Sequence, residues 1–230
     1  MILAENLKEV KEKIAAAAAR AGRDASDIVL VAVSKKKPLE DIETLLAEGQ
    51  MDYGENYVQE LCEKYEHVSR PVRWHMIGHL QTNKVKQIID KVVLIHSVDS
   101  LHLAKQIEKE AAKKDLVCDV LVQINIGQEE SKFGIDLAGA EDLICQISQF
   151  PHVHVAGLMA SAPFVDDPEK NRCYFRILHE LFIDIQRKNI DNVDMKILSM
   201  GMTNDYEIAV EEGATMVRVG TAIFGARIYS

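Results

Sequence analysis

Lys35 stands directly after an apolar run, in the string Ser34-Lys35-Lys36-Lys37-Pro38. A lysine at the end of a buried strand is partly desolvated, which favours the neutral amine and makes it a nucleophile toward carbonyl carbon. Such a lysine can form a Schiff base. Composition does not tell Lys35, Lys36 and Lys37 apart, and three consecutive lysines also suit a solvated basic loop. Arg218 lies in Met216-Val217-Arg218-Val219, an otherwise apolar strand pattern. An unpaired buried guanidinium is costly, so Arg218 pairs with a carboxylate, reaches solvent, or hydrogen-bonds a bound heterocycle or anion. Ser199-Met200-Gly201-Met202-Thr203-Asn204-Asp205 and Gly220-Thr221-Ala222 each follow an apolar run. Small residues there let backbone N–H groups converge on an anion, and a helix N-terminus adds positive potential. Plain turn chemistry uses the same residue types.

Other chemistry is poorly supported. The histidines of His75-Met76-Ile77-Gly78-His79 have the i, i+4 spacing of a zinc-protease helix, but the motif lacks its Glu, contains Gly and falls on a strand end. Cys62, Cys118, Cys145 and Cys173 are widely spaced, without a C-x-x-C pair, so free thiols are expected rather than disulfides or zinc. No G-x-S-x-G elbow, G-x-G-x-x-G turn or Walker-type loop occurs. Asp166-Asp167 and Glu129-Glu130 read as solvated loop carboxylates.

The elements that must position these residues alternate. Short runs rich in β-branched residues predict strands at 28–33, 51–53, 72–77, 92–98, 118–126, 153–159, 195–200 and 215–219. Several are apolar almost throughout, as in parallel strands covered on both faces. Amphipathic stretches predict helices at 2–21, 39–48, 57–66, 83–89, 101–113, 137–149, 168–188 and 204–212. Gly22 is the expected stop of the first helix, and Asp136, Asp167 and Thr203 stand where N-caps would be. Eight strand–helix alternations in 230 residues predict an α/β fold, a (β/α)8 TIM-type barrel with an extra N-terminal helix, occupying 1–230 as a single domain. An open doubly wound sheet is the alternative. The barrel places chemistry at the C-terminal strand ends. Lys35, Gly54-Glu55-Asn56, His75, Gly78, His79, His96, Asn125, Met159, Ser161 and the two Gly-containing turns all fall there.

Composition narrows the function classes. Apolar residues are 47% and charged residues 27%, with a net charge of −9. This is ordinary globular composition, and the acidic balance argues against duplex DNA or a polybasic membrane contact. No run approaches the length of a membrane helix, and residues 1–20 lack a signal-peptide core. A cytoplasmic protein is expected, and a monomer, since no exposed apolar helix face stands out.

Taken in order, Val31-Ala32-Val33-Ser34-Lys35, Gly54-Glu55-Asn56-Tyr57-Val58-Gln59-Glu60 and the stretch from Trp74 to Lys84 look like three N-terminal signatures of one family. Gln123-Ile124-Asn125, Ser131-Lys132-Phe133-Gly134, Gly157-Leu158-Met159, Ser199-Met200-Gly201-Met202 and the stretch from Val217 to Gly225 continue it. The chain resembles the pyridoxal phosphate homeostasis proteins, barrels similar to the N-terminal domain of alanine racemase. The resemblance implies that pyridoxal 5'-phosphate is held as an aldimine on Lys35, with Asn56 near its phenolic oxygen. It implies a phosphate cup of Ser199, Gly201, Met202, Gly220 and Thr221, and Arg218 at the pyridine nitrogen. His75, Met159 and Met200 complete the expected cofactor-binding set. Met76 stands where that family usually has Phe, which leaves these expectations intact. An arginine disfavours a protonated pyridine and weakens the electron sink. The sequence as given also has no residues for the second, β-rich domain of alanine racemases. The resemblance therefore implies buffering or delivery of the cofactor, to apo forms of dependent enzymes among others, without strong turnover. A weak racemase or lyase is the alternative.

Overall fold

The short runs rich in β-branched residues become eight parallel strands, closed in chain order into a barrel. They are β1 Val29–Val33, β2 Asp52–Glu55, β3 Arg73–Met76, β4 Leu94–Val98, β5 Cys118–Ile124, β6 Val153–Ala160, β7 Val193–Ser199 and β8 Met216–Val219. Closure is made by β1 on β8, with Val31 opposite Arg218. The computed structural model describes residues 2–129 and 133–225. Glu130, and Ser131 and Lys132 of the family motif, lie outside the described residues.

Helices follow the strands on the outside: α1 Ile2–Arg20, α2 Leu39–Ala47, α3 Val58–His67, α4 Val85–Ile88, α5 Leu101–Ala112, α6 Ala140–Ile147, α7 Arg172–Arg187, α8 Tyr206–Glu211 and α9 Thr221–Phe224. The extra helix α1 buries Leu7, Val10, Ile14, Ala17 and Ala18, one stripe at helical spacing. It lies against α2, α8 and α9 and stops at Gly22, whose φ is +66°. Alternation along each strand sends one set of side chains to the helices and the other into the barrel. Trp74, Met76, Leu198, Met200, Val217 and Val219 join the large outer core. Val31, Leu94, Leu121, Ala156, Met159 and Met216 form a separate inner cluster.

Several expected boundaries shift. β2 runs two residues past its expected end and takes in Gly54 and Glu55. The helix expected at 83–89 is a 3₁₀ turn, Thr82–Lys84, followed by the single turn of α4. Asp167 does cap, but it caps a 3₁₀ turn, Pro168–Asn171, that precedes α7. Asp136 accepts the Gly139 N–H at 2.7 Å, within the turn before α6. Thr203 is not a cap. Its hydroxyl accepts the Gly220 N–H at 3.3 Å, and Asp205 occupies the N-cap position of α8. The one-turn α9 is too short for a periodicity signal.

A candidate binding site at the barrel mouth

A cavity of about 670 Å³ opens at the C-terminal ends of the strands. Lys35, Asn56, Met202, Arg218, Gly220 and Thr221 all line it, so six of the expected site residues converge. The others do not reach the wall. Met200 packs in the outer core and its N–H is paired with the Met216 carbonyl. Met159 belongs to the inner apolar cluster. His75 and Ser199 are buried inside the barrel, a layer beneath the cavity. Gly201 shapes the loop from behind: its φ is +88°, and a Cβ there would sit 2.5 Å from the Ala209 Cβ.

Local structure separates the three lysines that composition could not. Lys35 lines the cavity. Lys36 takes a left-handed φ of +60°, is exposed, and donates its N–H to Glu60 Oε1. Lys37 turns away and donates from Nζ to the Phe224 carbonyl at 2.9 Å. The turn carrying Lys35 is fixed from below by a buried ionic knot. Lys64 Nζ donates to the Ser34 carbonyl and to Glu55 Oε1, each at 2.7 Å, and to Glu60 Oε1 at 2.7 Å. Ser34 Oγ donates to Glu55 Oε1 at 2.6 Å. Burial pushes the Glu55 carboxyl up, against the pull of Lys64 and Ser34. Residues on both sides of Lys35 are thus anchored to one cluster. Sequence reasoning missed Lys64, although a lysine in phase with the buried Val58 and Leu61 of α3 was a usable signal.

Arg218 is the other pole. It is 4% exposed, and its hydrogen-bond acceptors are neutral: Ser199 Oγ at 2.6 Å, the Ala160 carbonyl at 2.8 Å and Ser161 Oγ at 3.2 Å. Burial draws its pKa down to about 10, opposed by the nearby Asp205 carboxylate, so the guanidinium stays cationic at neutral pH. The expected alternatives for Arg218, a direct carboxylate bond or a path to solvent, are not what it adopts.

The phosphate-like turns also converge. Asp205 braces the loop after β7, accepting the Met202 N–H at 2.7 Å and Asn171 Nδ2 at 2.8 Å. The N–H groups of Thr203 and Asn204 have no acceptor among the described residues. Across the cavity, Gly78 lets β3 approach the chain at Asn56, since a Cβ would fall 2.4 Å from the Asn56 carbonyl oxygen. Asn56 Oδ1 is buried with no partner among the described residues. Among the described residues no cluster of three or more His, Cys, Asp or Glu is arranged to hold a metal ion. The two histidines of the His75–His79 motif are far apart in role: His79 stacks on Phe133 at 3.8 Å, while His75 faces inward.

A closed parallel barrel with a lysine after β1, an arginine in β8 and Gly-containing turns after β7 and β8 defines a class. The family described as alanine racemase, N-terminal domain, matches residues 5–228. A pyridoxal phosphate homeostasis protein of Aquifex aeolicus is 46% identical over 226 residues, 98% of each chain. Among solved structures, PipY of Synechococcus elongatus with PLP bound superposes with a TM-score of 0.84 at 31% identity, covering 97% of this chain and 100% of that one. An alanine racemase of Clostridium difficile shares the fold, with a TM-score of 0.76 at 16% identity, over 98% of this chain and 57% of its own. The chain belongs to the pyridoxal phosphate homeostasis proteins of the alanine racemase N-terminal domain family.

Proposed function

We propose that this protein binds pyridoxal 5'-phosphate at the barrel mouth, with Lys35 carrying its aldehyde as a Schiff base, and that it buffers or delivers the cofactor in the cytoplasm rather than turning over a substrate. The observation that carries this reading is the shared cavity of Lys35 and the buried Arg218, whose acceptors are all neutral oxygens. The residues present fit such a ligand. Asn56 Oδ1 is a buried acceptor lacking a partner among the described residues, and Asn56 would lie near the ligand's phenolic oxygen. Thr203 and Asn204, whose N–H groups have no acceptor among the described residues, line with Gly220 and Thr221 the part of the cavity suited to a phosphate. A volume of about 670 Å³ lies in the ordinary range for small-molecule pockets.

Arg218 supports holding over catalysis. Bound pyridoxal phosphate supplies an aldehyde carbon and, where its ring nitrogen is protonated, an electron sink. Arg218, a cationic donor, would oppose protonation if it met that nitrogen. Condensation of the Lys35 amine with the aldehyde would release one water and would reverse by hydrolysis or amine exchange. That reversibility suits delivery to apo forms of dependent enzymes.

Borohydride reduction followed by peptide mass spectrometry tests the assignment. A phosphopyridoxyl group on Lys35, lost in Lys35→Ala, is the expected result. An adduct confined to Lys36 or Lys37, or none after addition of pyridoxal phosphate, overturns it. Rapid racemisation or elimination of a single amino-acid enantiomer, followed by chiral analysis, would overturn the carrier part alone.

A further inference from the structure

Inside the barrel, five polar side chains from five strands touch end to end. Arg218 Nη1 lies 2.6 Å from Ser199 Oγ. Ser199 Oγ lies 3.0 Å from His96 Nδ1. His96 Nε2 lies 3.0 Å from His75 Nδ1, and His75 Nε2 lies 3.0 Å from Asp52 Oδ1. All five are buried, at 7% exposure or less. Asp52 is at the opposite, N-terminal end of the strands, where Arg73 Nε donates to it at 2.8 Å. Neither histidine lines the cavity, so a direct ligand contact does not account for them.

When each ring carries a single proton, the two ends fix every proton between them. A guanidinium can only donate, and an ionised carboxylate can only accept. With one proton on each ring, one arrangement satisfies all four contacts. Arg218 donates to Ser199, the Ser199 hydroxyl to His96 Nδ1, His96 Nε2–H to His75 Nδ1, and His75 Nε2–H to Asp52. Each hydrogen bond polarises the next in the same sense. The buried Arg218 has no directly bonded carboxylate, yet it stands at the head of a column that ends on one.

We propose that Asp52, His75, His96 and Ser199 are positioning residues that form one directional hydrogen-bond column, holding the Arg218 guanidinium at the cavity floor and relaying the Asp52 negative charge to it. Burial, the first cause holding the His96 pKa well below the usual value, supports a neutral His96. The column stands on its own geometry. Its consequence for affinity rests on the pyridoxal phosphate reading.

Long-range proton–nitrogen NMR on the ligand-free, nitrogen-15-labelled protein tests the direction without any substitution. The expected spectrum shows a single proton on Nε2 of both His75 and His96. A proton on Nδ1 of His96 overturns the column. Asp52→Asn keeps the shape and removes the charge. It is expected to speed exchange of the Arg218 Nη protons by about tenfold or more and to weaken pyridoxal phosphate binding by about tenfold, a coupling typical of groups in one network. Arg73→Ala, which leaves the carboxylate in place, should change both by less than about twofold. In an Arg218→Lys background Asp52→Asn should cost no further affinity. An undiminished loss there, or an unchanged Arg218 exchange rate in Asp52→Asn alone, shows that Asp52 acts only on stability and overturns the relay. If the unaltered protein binds no pyridoxal phosphate, the ligand reading falls, while the tautomers and exchange rates still decide the column.

Discussion

The barrel interior is divided between two kinds of filling. On one side, Val31, Leu94, Leu121, Ala156, Met159 and Met216 make an apolar plug. Beside it, Asp52, His75, His96, Ser199 and Arg218 make a polar column. The strands alternate between them: β4 gives Leu94 to the plug and His96 to the column, and β8 gives Met216 and Arg218. Layers of branched apolar residues are the usual filling of such a barrel. A column of buried polar groups is tolerated only when every member is bonded, because each broken link leaves an unsatisfied partner. The plug adds apolar burial to that of the larger outer core. The upper end of the column is the buried cation on the floor of the mouth.

Leu121→Ala separates the two most sharply. Leu121 is fully buried in the plug, and truncating such a leucine costs about 3 kcal/mol of transfer and cavity energy. Urea unfolding should show that loss, while pyridoxal phosphate affinity per folded molecule stays within about twofold. A large loss of affinity would mean that the plug, too, shapes the site.

Acid should act on the column and leave the plug alone. Burial alone would raise the Asp52 carboxyl, but hydrogen bonds from Arg73 and His75 outweigh it and hold the group down to about 2 from 3.8. Its folded pKa lies below its unfolded one, so its contribution is fully present above about pH 4. It is lost as pH falls toward 2, for a total of about 2 kcal/mol. His96 has its folded pKa below the usual 6.5. The unfolded chain therefore takes up the proton first, and stability declines as pH falls below about 6.5, with a limiting slope of about 1.4 kcal/mol per pH unit. Unfolding free energies measured from pH 8 to pH 4 should show this slope. His96→Gln should lack that contribution to it. A profile left unchanged by His96→Gln would mean that His96 titrates alike in the folded and unfolded chain.

The sequence disclosed the barrel because β-branched runs alternating with amphipathic stretches report strand and helix burial directly. The mouth was legible for the same reason: Lys35, Asn56, Arg218 and the Gly-containing turns sit at strand ends, where a barrel puts its chemistry. The column was not. His75 and His96 were visible as strand-end polar residues, but a short strand does not announce which of its faces turns inward. Asp52 was further hidden because β2 is only four residues long and begins on it. The partnership of Asp52 with Ser199 and Arg218 depends on barrel closure, which brings β2 near β7 and β8 across the interior. Lys64 and Glu55 were hidden differently. Each reads locally as a helix-surface or loop charge, and only the packing of α3 against β2 buries them as a pair. Met200 was misplaced by one step of the alternation: Ser199 faces inward, so its neighbour must face the helices.

The smallest expected effect sharpens the comparison at the floor of the barrel. Arg73 grips Asp52 from below, but its side chain is 56% exposed. Half-exposed ion pairs are worth at most about 1 kcal/mol, so Arg73→Ala should lower stability at pH 7 by less than that. Among the hydrogen bonds that lower the Asp52 pKa, the one from Arg73 is the largest. Its removal should therefore raise that pKa, so that less of the Asp52 contribution remains to be lost in acid. Unfolding measured at pH 7 and again near pH 3 checks the sign: the loss should be largest at the first, where the carboxylate is ionised, and no larger at the second. A loss of several kcal/mol at pH 7 would mean that the carboxylate is held from the floor rather than through the column. The two fillings of the barrel would then differ in composition but not in purpose.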